Sequence, residues 1–282
     1  RRDASRESGI LAAGSEVGRR WPPAAREGLL ARVRSFEPSG ASRTATAIDH
    51  GLRAYVDGLV TERVAACEAT HVRAEQSAAM LDQRVACLSH REQDLRTAIA
   101  VLQTIERTEL EGAVRAVADL PSIRSCTNPS RLAEYLPTPI DPAAKARAVE
   151  LFDQITTSRV LHDLGRLTAA LEKARIAVAA LGDHAFSPYV SQAHLRLGTA
   201  LLELGHYDEA ARTLHLALVR AERDHDDYRR AEALLRIAEL LVETKQPAEA
   251  KRRLAELAAV SARIDDPAQV SVGLHLESQL AG

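Results

Sequence analysis

The sequence predicts an all-α protein: a long antiparallel helical hairpin domain followed by an α-solenoid of repeated helical hairpins. Three observations carry that prediction. Of 282 residues, 46% are hydrophobic but only 3% are aromatic, so burial falls mostly to Ala, Leu and Val, a set weighted toward helix. Apolar residues recur at three- and four-residue steps over long stretches, the period of one helix face. In the second half one phrase returns every forty residues, as "LHDLGRLTAA" (161–170), "LLELGHYDEA" (201–210) and "LVETKQPAEA" (241–250), keeping only its small and apolar letters.

Residues 1–43 read as an N-terminal segment with one short helix. Pro22 and Pro23, after Trp21, suit a first helical turn, "AAREGLLARVRSF" continues it, and "EPSGAS" stops it. Residues 44–120 hold the hairpin domain. Ile48, Leu52, Tyr55, Val56, Leu59, Val60 and Val64 mark a helix from about Thr44 to Ala74; Met80, Leu81, Val85, Leu88, Leu95, Ile99 and Leu102 mark its partner. The short connection favours an antiparallel pair, and Ser77 is placed to cap the second helix. Reflecting the chain about Ser77 lays Cys67 opposite Cys87, where a bridge is sterically conceivable. Residues 121–140 form a Pro-rich connector within "PSIRSCTNPSRLAEYLPTPIDP", which holds five prolines. Residues 141–282 carry about three repeats, the last one or a following helix truncated.

In the middle repeat, "AHLRLGTALLELGHYDEAARTLHLALVRA", Leu197, Gly198, Gly205, Tyr207, Ala210, Leu214 and Ala217 stand where the tetratricopeptide repeat has its signature residues, and the unit resembles that repeat position by position. Gly198 and Ala210 fall where two helices of a hairpin approach closely, Gly205 permits a left-handed turn, and Tyr207 and Leu214 are expected to fill the space toward the next hairpin. An isolated hairpin cannot bury both faces, so the units stack. The first repeat lacks the Leu-Gly pair (Thr157, Ser158), and the third has Lys245 for Gly205. The forty-residue step exceeds the usual thirty-four, the difference falling on longer helices and turns.

Charge and motifs exclude several function classes. The 37 Lys and Arg nearly balance 39 Asp and Glu, so no global field draws nucleic acid or an anionic membrane. Arg alternates with Glu along the helices without a continuous basic face, which argues against nucleic acid as a partner. The most apolar stretch, "AEALLRIAELLVE", is interrupted by Arg236 and Glu239, so no segment is expected to span a bilayer. The motifs of hydrolases, zinc proteases, nucleotide-binding loops and calcium loops are missing. "HREQD" at His90 lies in a helical pattern and lacks the downstream Asn of a kinase catalytic loop. His194, His206, His215 and His225 spread over different helix faces. Catalytic residues, metal and cofactor are therefore not expected. The three cysteines show no metal-ligand spacing and read either as buried small hydrophobes or as one disulfide and a thiol.

The stretch "AYVDGLVTERVAACEATHVRAEQSAAMLDQRVACLSHREQDL" resembles the helical region of myxobacterial-type serine/threonine protein kinases, through Cys67, Glu68, Ala69, Thr70, Gln76, Ser77, Leu81, Asp82, Arg84, Cys87 and Leu88. Trp21 and "LPSIRSC", ending at Cys126, extend the likeness. The resemblance implies a kinase domain and a membrane segment ahead of this region, with tetratricopeptide-like repeats after it. The chain opens on "RRDASRES" without Met or signal peptide, which predicts a piece of a longer polypeptide. An extracytoplasmic placement would favour disulfides; a cysteine that the family carries ahead of the Trp is absent, so one of the three thiols stays unpaired, and the sequence does not say which.

The functional expectation is a non-catalytic sensory or protein-interaction region of a bacterial transmembrane serine/threonine kinase, binding a protein or peptide partner. The alternative is a free-standing cytoplasmic adaptor built of the same repeats. The Leu197-Gly198 register places the partner groove on the first helix of each hairpin: Phe152, Ile155, Arg159, His162 and Asp163; Gln192, Leu195, Thr199, Leu202 and Glu203; Glu232, Leu235, Glu239, Val242 and Glu243. Positive at its start and acidic toward the third repeat, over a floor of Leu195, Leu202, Leu235 and Val242, it is expected to take a peptide with apolar anchors and Lys or Arg.

Overall fold

In the computed structural model residues 23–36, 41–128, 132, 141–182 and 187–264 are described. Among them there is no strand. Among the described residues ten α-helices run in order: α1 Pro23–Phe36, α2 Ala41–His71, α3 Ala78–Leu102, α4 Leu110–Ala118, α5 Pro142–Asp163, α6 Leu167–Ala179, α7 Ser187–Glu203, α8 Tyr207–Arg223, α9 Asp227–Glu243 and α10 Pro247–Ile264, with 3-10 turns at Arg107–Glu109 and Ile123–Thr127. The chain divides into two compact units, residues 1–140 with 163–165, and 141–162 with 166–282. Trp21 lies outside the described residues. No described helix is long and apolar enough to cross a membrane.

In the first unit α1 packs on α2, and Leu29, Leu30, Val33, Ile48, Leu52 and Leu59 are buried. The α2–α3 hairpin is built at its tip by the residues that carry the kinase-region resemblance. Ser77 caps α3, its hydroxyl accepting from the Met80 N–H at 3.2 Å. Gln76 Nε2 donates to the Ala66 carbonyl and to Thr70 Oγ1, both at 2.8 Å, tying the turn to the last turns of α2. Arg84 reaches back from α3 to Gln76 Oε1 (3.0 Å) and Glu62 Oε2 (3.1 Å). Glu68 takes Arg73 at 3.0 Å. The signature thus encodes a hydrogen-bonded hairpin end.

The bridge expected between Cys67 and Cys87 does not form. Cys87 is joined to Cys126 of the Ile123–Thr127 turn, with Cα atoms 5.5 Å apart, and Cys67 keeps a free thiol. The error lay in the pivot. The helices end at His71 and resume at Ala78, so the turn centres near Ala74 and Glu75, not Ser77. Reflection about that centre brings Cys67 level with about residue 82, roughly a turn and a half of helix from Cys87.

The string "HREQD" lies inside α3, where Arg91, Glu92, Gln93 and Asp94 are buried and Arg91 holds Asp94 at 3.0 Å. Burial, reinforced by the Arg91 charge, pushes the His90 imidazole down to about 4. A histidine kept neutral by folding contributes stability that is fully present above its unfolded value near 6.5 and is lost as pH falls through about 4. Acidification from pH 7 to 4 is therefore expected to cost at most about 3 kcal/mol through this group. Urea denaturation across that range should show a shallower fall for His90→Gln.

The second unit stacks three hairpins, α5–α6, α7–α8 and α9–α10, with neighbouring helices packed in sequence from α6 to α10. The small letters of the repeated phrase are where the helices close. A Cβ on Gly198 would stand 2.6 Å from both Cγ and Cδ2 of Leu214, and Ala210, Leu214 and Ala217 are all but inaccessible. Tyr207 departs from expectation: it opens α8 at the hairpin corner and is 37% exposed, so it does not fill the inter-hairpin space.

The turns share one geometry. Gly165, Gly205 and Lys245 have φ of 81°, 76° and 59°, and the next residue's N–H returns to the carbonyl five positions before it, as in His206 to Leu201 (2.9 Å) and Gln246 to Leu241 (2.8 Å). This left-handed cap favours glycine. Tertiary packing imposes it on Lys245 regardless. Lys245→Gly is expected to raise stability by about 0.5–1 kcal/mol, the relieved left-handed strain exceeding glycine's extra unfolded-state entropy; a melt unchanged or lowered would contradict this.

Candidate functional site

The face formed by the first helices, α5, α7 and α9, carries a network of paired, half-buried charges. Glu232 sits between two arginines. It pairs with Arg196 from α7 and with Arg229 one turn earlier on α9, the latter at 2.8 Å. Burial opposes its charge, yet Arg196 and Arg229 hold the carboxyl down at about 2. Burial also lowers Arg196, with Glu232 pulling the other way; an arginine stays protonated all the same. Arg159 and Arg236 add to the positive field at Arg196. Arg236 in turn donates to Glu239 at 2.8 Å; burial opposes its charge, yet Glu239 together with Glu232 and Glu203 raises its value. His162 of α5 lies 3.8 Å from Glu203 of α7 and, chiefly by hydrogen bonding, holds that carboxyl below the usual range.

These contacts revise the expected groove. Glu232 and Glu239 are not waiting for a basic partner, because arginines of the same face already neutralise them. The expected floor is core: Leu195, Leu202 and Leu235 are buried, as are Phe152 and Ile155, the latter two packed with Tyr189 and Ala193. The phenyl ring of Phe152 lies 5.7 Å from that of Tyr189. Thr199 is buried too, its Oγ1 without a hydrogen-bond partner, and Asp163 is buried. Glu203 and Glu243 are exposed, while Arg159, His162, Gln192 and Val242 are half-buried. What the face offers is a strip of fixed, alternating charges with a few open carboxylates at its edge.

Arg196 was not among the expected site residues, although the sequence holds its signal. The forty-residue step places it level with Arg236, in "LRLG" and "LRIA". Glu232 stands one turn before Arg236, which brings it to Arg196 only once the helices are stacked.

A second polar depression, lined by Ala221, Glu222, His225, Asp227, Arg230 and Arg263, opens at the α8–α9 turn. Its charges satisfy one another: Arg263 pairs with Asp227 at 2.8 Å and Arg230 with Glu222 at 3.3 Å. His194 is engaged with the Val190 carbonyl at 2.8 Å.

Comparison with known families agrees with this architecture. The tetratricopeptide repeat family matches residues 192–227 and 232–260, the stretch from early α7 through most of α10. No curated protein and no solved structure matches the chain. The matched stretch of α7–α10 is similar to tetratricopeptide repeats, and the described residues are otherwise all helix, turn or loop.

Proposed function

We propose that the second unit holds an extended or helical segment of a protein partner against the face of α5, α7 and α9, and that the chain is the non-catalytic interaction region of a bacterial transmembrane serine/threonine kinase. The observation that carries the binding reading is the tetratricopeptide match over α7–α10, repeats suited to protein–protein contact. The Arg196–Glu232–Arg229 and Arg236–Glu239 pairs support it further. They keep charged groups in place before a partner arrives, which lowers the ordering cost of binding. Kinase parentage rests on the resemblance around Cys67–Leu88. The gene upstream of Arg1 separates it from a free-standing adaptor: an open frame with a kinase domain and an apolar span of about twenty residues supports the first, and a nearby start codon the second.

Site-specific photo-crosslinking of the full chain tests the binding face. A photoreactive residue at Gln192, Glu203 or Glu243 is expected to capture one common partner, while the same residue at Arg212 or Lys251, exposed on the second helices, captures none. Capture from Arg212 and Lys251 alone would move the interface off this face.

A further inference from the structure

We propose that the Cys87–Cys126 disulfide is an oxidation-dependent latch that fastens residues 121–127 onto the α2–α3 hairpin, and that the region matures where a protein disulfide oxidant acts. Within the described residues the turn packs on both helices of the hairpin, and the cystine is its covalent anchor. Cys126 is the only buried residue of the Ile123–Thr127 turn, and its neighbours are partly or fully exposed. The hydroxyl hydrogen bonds of Ser125 and Thr127 run to carbonyls three residues back and stay within the segment. Among its contacts with the hairpin, Tyr55 donates to the Pro121 carbonyl at 2.8 Å, and Ile123 Cδ1 fills the space 3.0 Å from where a Gly58 Cβ would stand. The cystine ties the turn to α3 covalently. It closes a loop with a sequence separation of 39 that contains the end of α3, both ends of α4 and the Arg107–Glu109 turn.

Both sulfurs are inaccessible, with Cys87 and Cys126 at 0% exposure, so a small thiol cannot attack the bond until the turn lifts. Formation removes two protons and two electrons from the thiols of Cys87 and Cys126. Thiol–disulfide exchange passes both to a disulfide-bearing oxidant, which leaves as a dithiol. Cys67, half-buried on α2, takes no part. Reduction would loosen Pro121–Thr127 from α3 and leave the α2–α3 hairpin, with its own tip network, in place.

The test uses the full chain produced in a bacterial periplasm, as the natural sequence and as Cys67→Ser. Peptide mapping without reductant should recover the Cys87–Cys126 pair in both. Hydrogen exchange read by mass spectrometry, with and without reductant, should then show amides 122–127 exchanging at least about tenfold faster after reduction while α2 amides stay protected. Cys126→Ser should reproduce the reduced pattern. Free thiols at Cys87 and Cys126, or a bridge to Cys67, would overturn the latch. So would unchanged exchange at 122–127, or loss of protection throughout α2, which would make the bond a requirement of the whole unit.

Discussion

Gly198→Leu is expected to lower the stability of the repeat unit by about 3 kcal/mol or more, the upper end of what overpacking costs. A Cβ alone at this position would overlap the Leu214 side chain, with two carbons at 2.6 Å and the Leu214 nitrogen at 3.2 Å. Leu214 is 0% exposed and belongs to the core shared by α6 through α10, so it has nowhere to turn. The helices must separate instead. Gly198→Ala should fall between the two, because it adds the clash without the bulk. Urea denaturation followed by circular dichroism reads both, and a Gly198→Leu midpoint equal to that of the natural chain would remove the close-contact explanation of the repeat.

Glu232→Ala should cost about 3–5 kcal/mol, the range for breaking a buried ion pair from one side. Arg196 and Arg229 have side chains only 11% and 16% exposed and would face each other without their shared carboxylate. Replacing the pair with Arg196→Met and Glu232→Leu together should cost much less, because Asp226 still lies near Arg229 and no buried charge is stranded. The same carboxylate has an acid signature. Its folded value of about 2 lies below the ordinary 4.5, so its stabilisation is complete above 4.5 and disappears as pH falls through 2. That window extends below the one set by His90. Glu203 and Asp227, also held below the carboxylate range, lose stabilisation in the same low-pH region, so Glu232→Gln is expected to reduce the loss below pH 4.5 without removing it.

The packing skeleton was legible in the sequence because it repeats. Gly198 and Ala210 could be read as close contacts because the middle repeat matches the tetratricopeptide signature residue by residue, and Ser77 as a cap from its place before an apolar run. Lys245 shows why the period outlasts its letters: stacking of α9 on α10 fixes a left-handed turn even where glycine has been lost. The charges were less readable. Sequence shows that Glu232 and Glu239 lie on the first-helix face, but whether a carboxylate is open or paired depends on Arg196 and Arg236 reaching it in three dimensions. Cys126 was obscure for a related reason, since a five-residue turn carries no periodicity that says which helix it will lie against.

The central claim is that α7 to α10 form one stacked array in which small residues and the Arg196–Glu232 pair couple neighbouring hairpins. Hydrogen exchange on the full chain, comparing the natural sequence with Gly198→Leu, tests it most directly. Stacking predicts that the substitution lowers protection in both 187–223 and 227–264, because the core runs through both hairpins and α9 loses its partner when α7 and α8 part. Loss confined to 187–223, with 227–264 as protected as before, would show hairpins that stand alone and contradict the array.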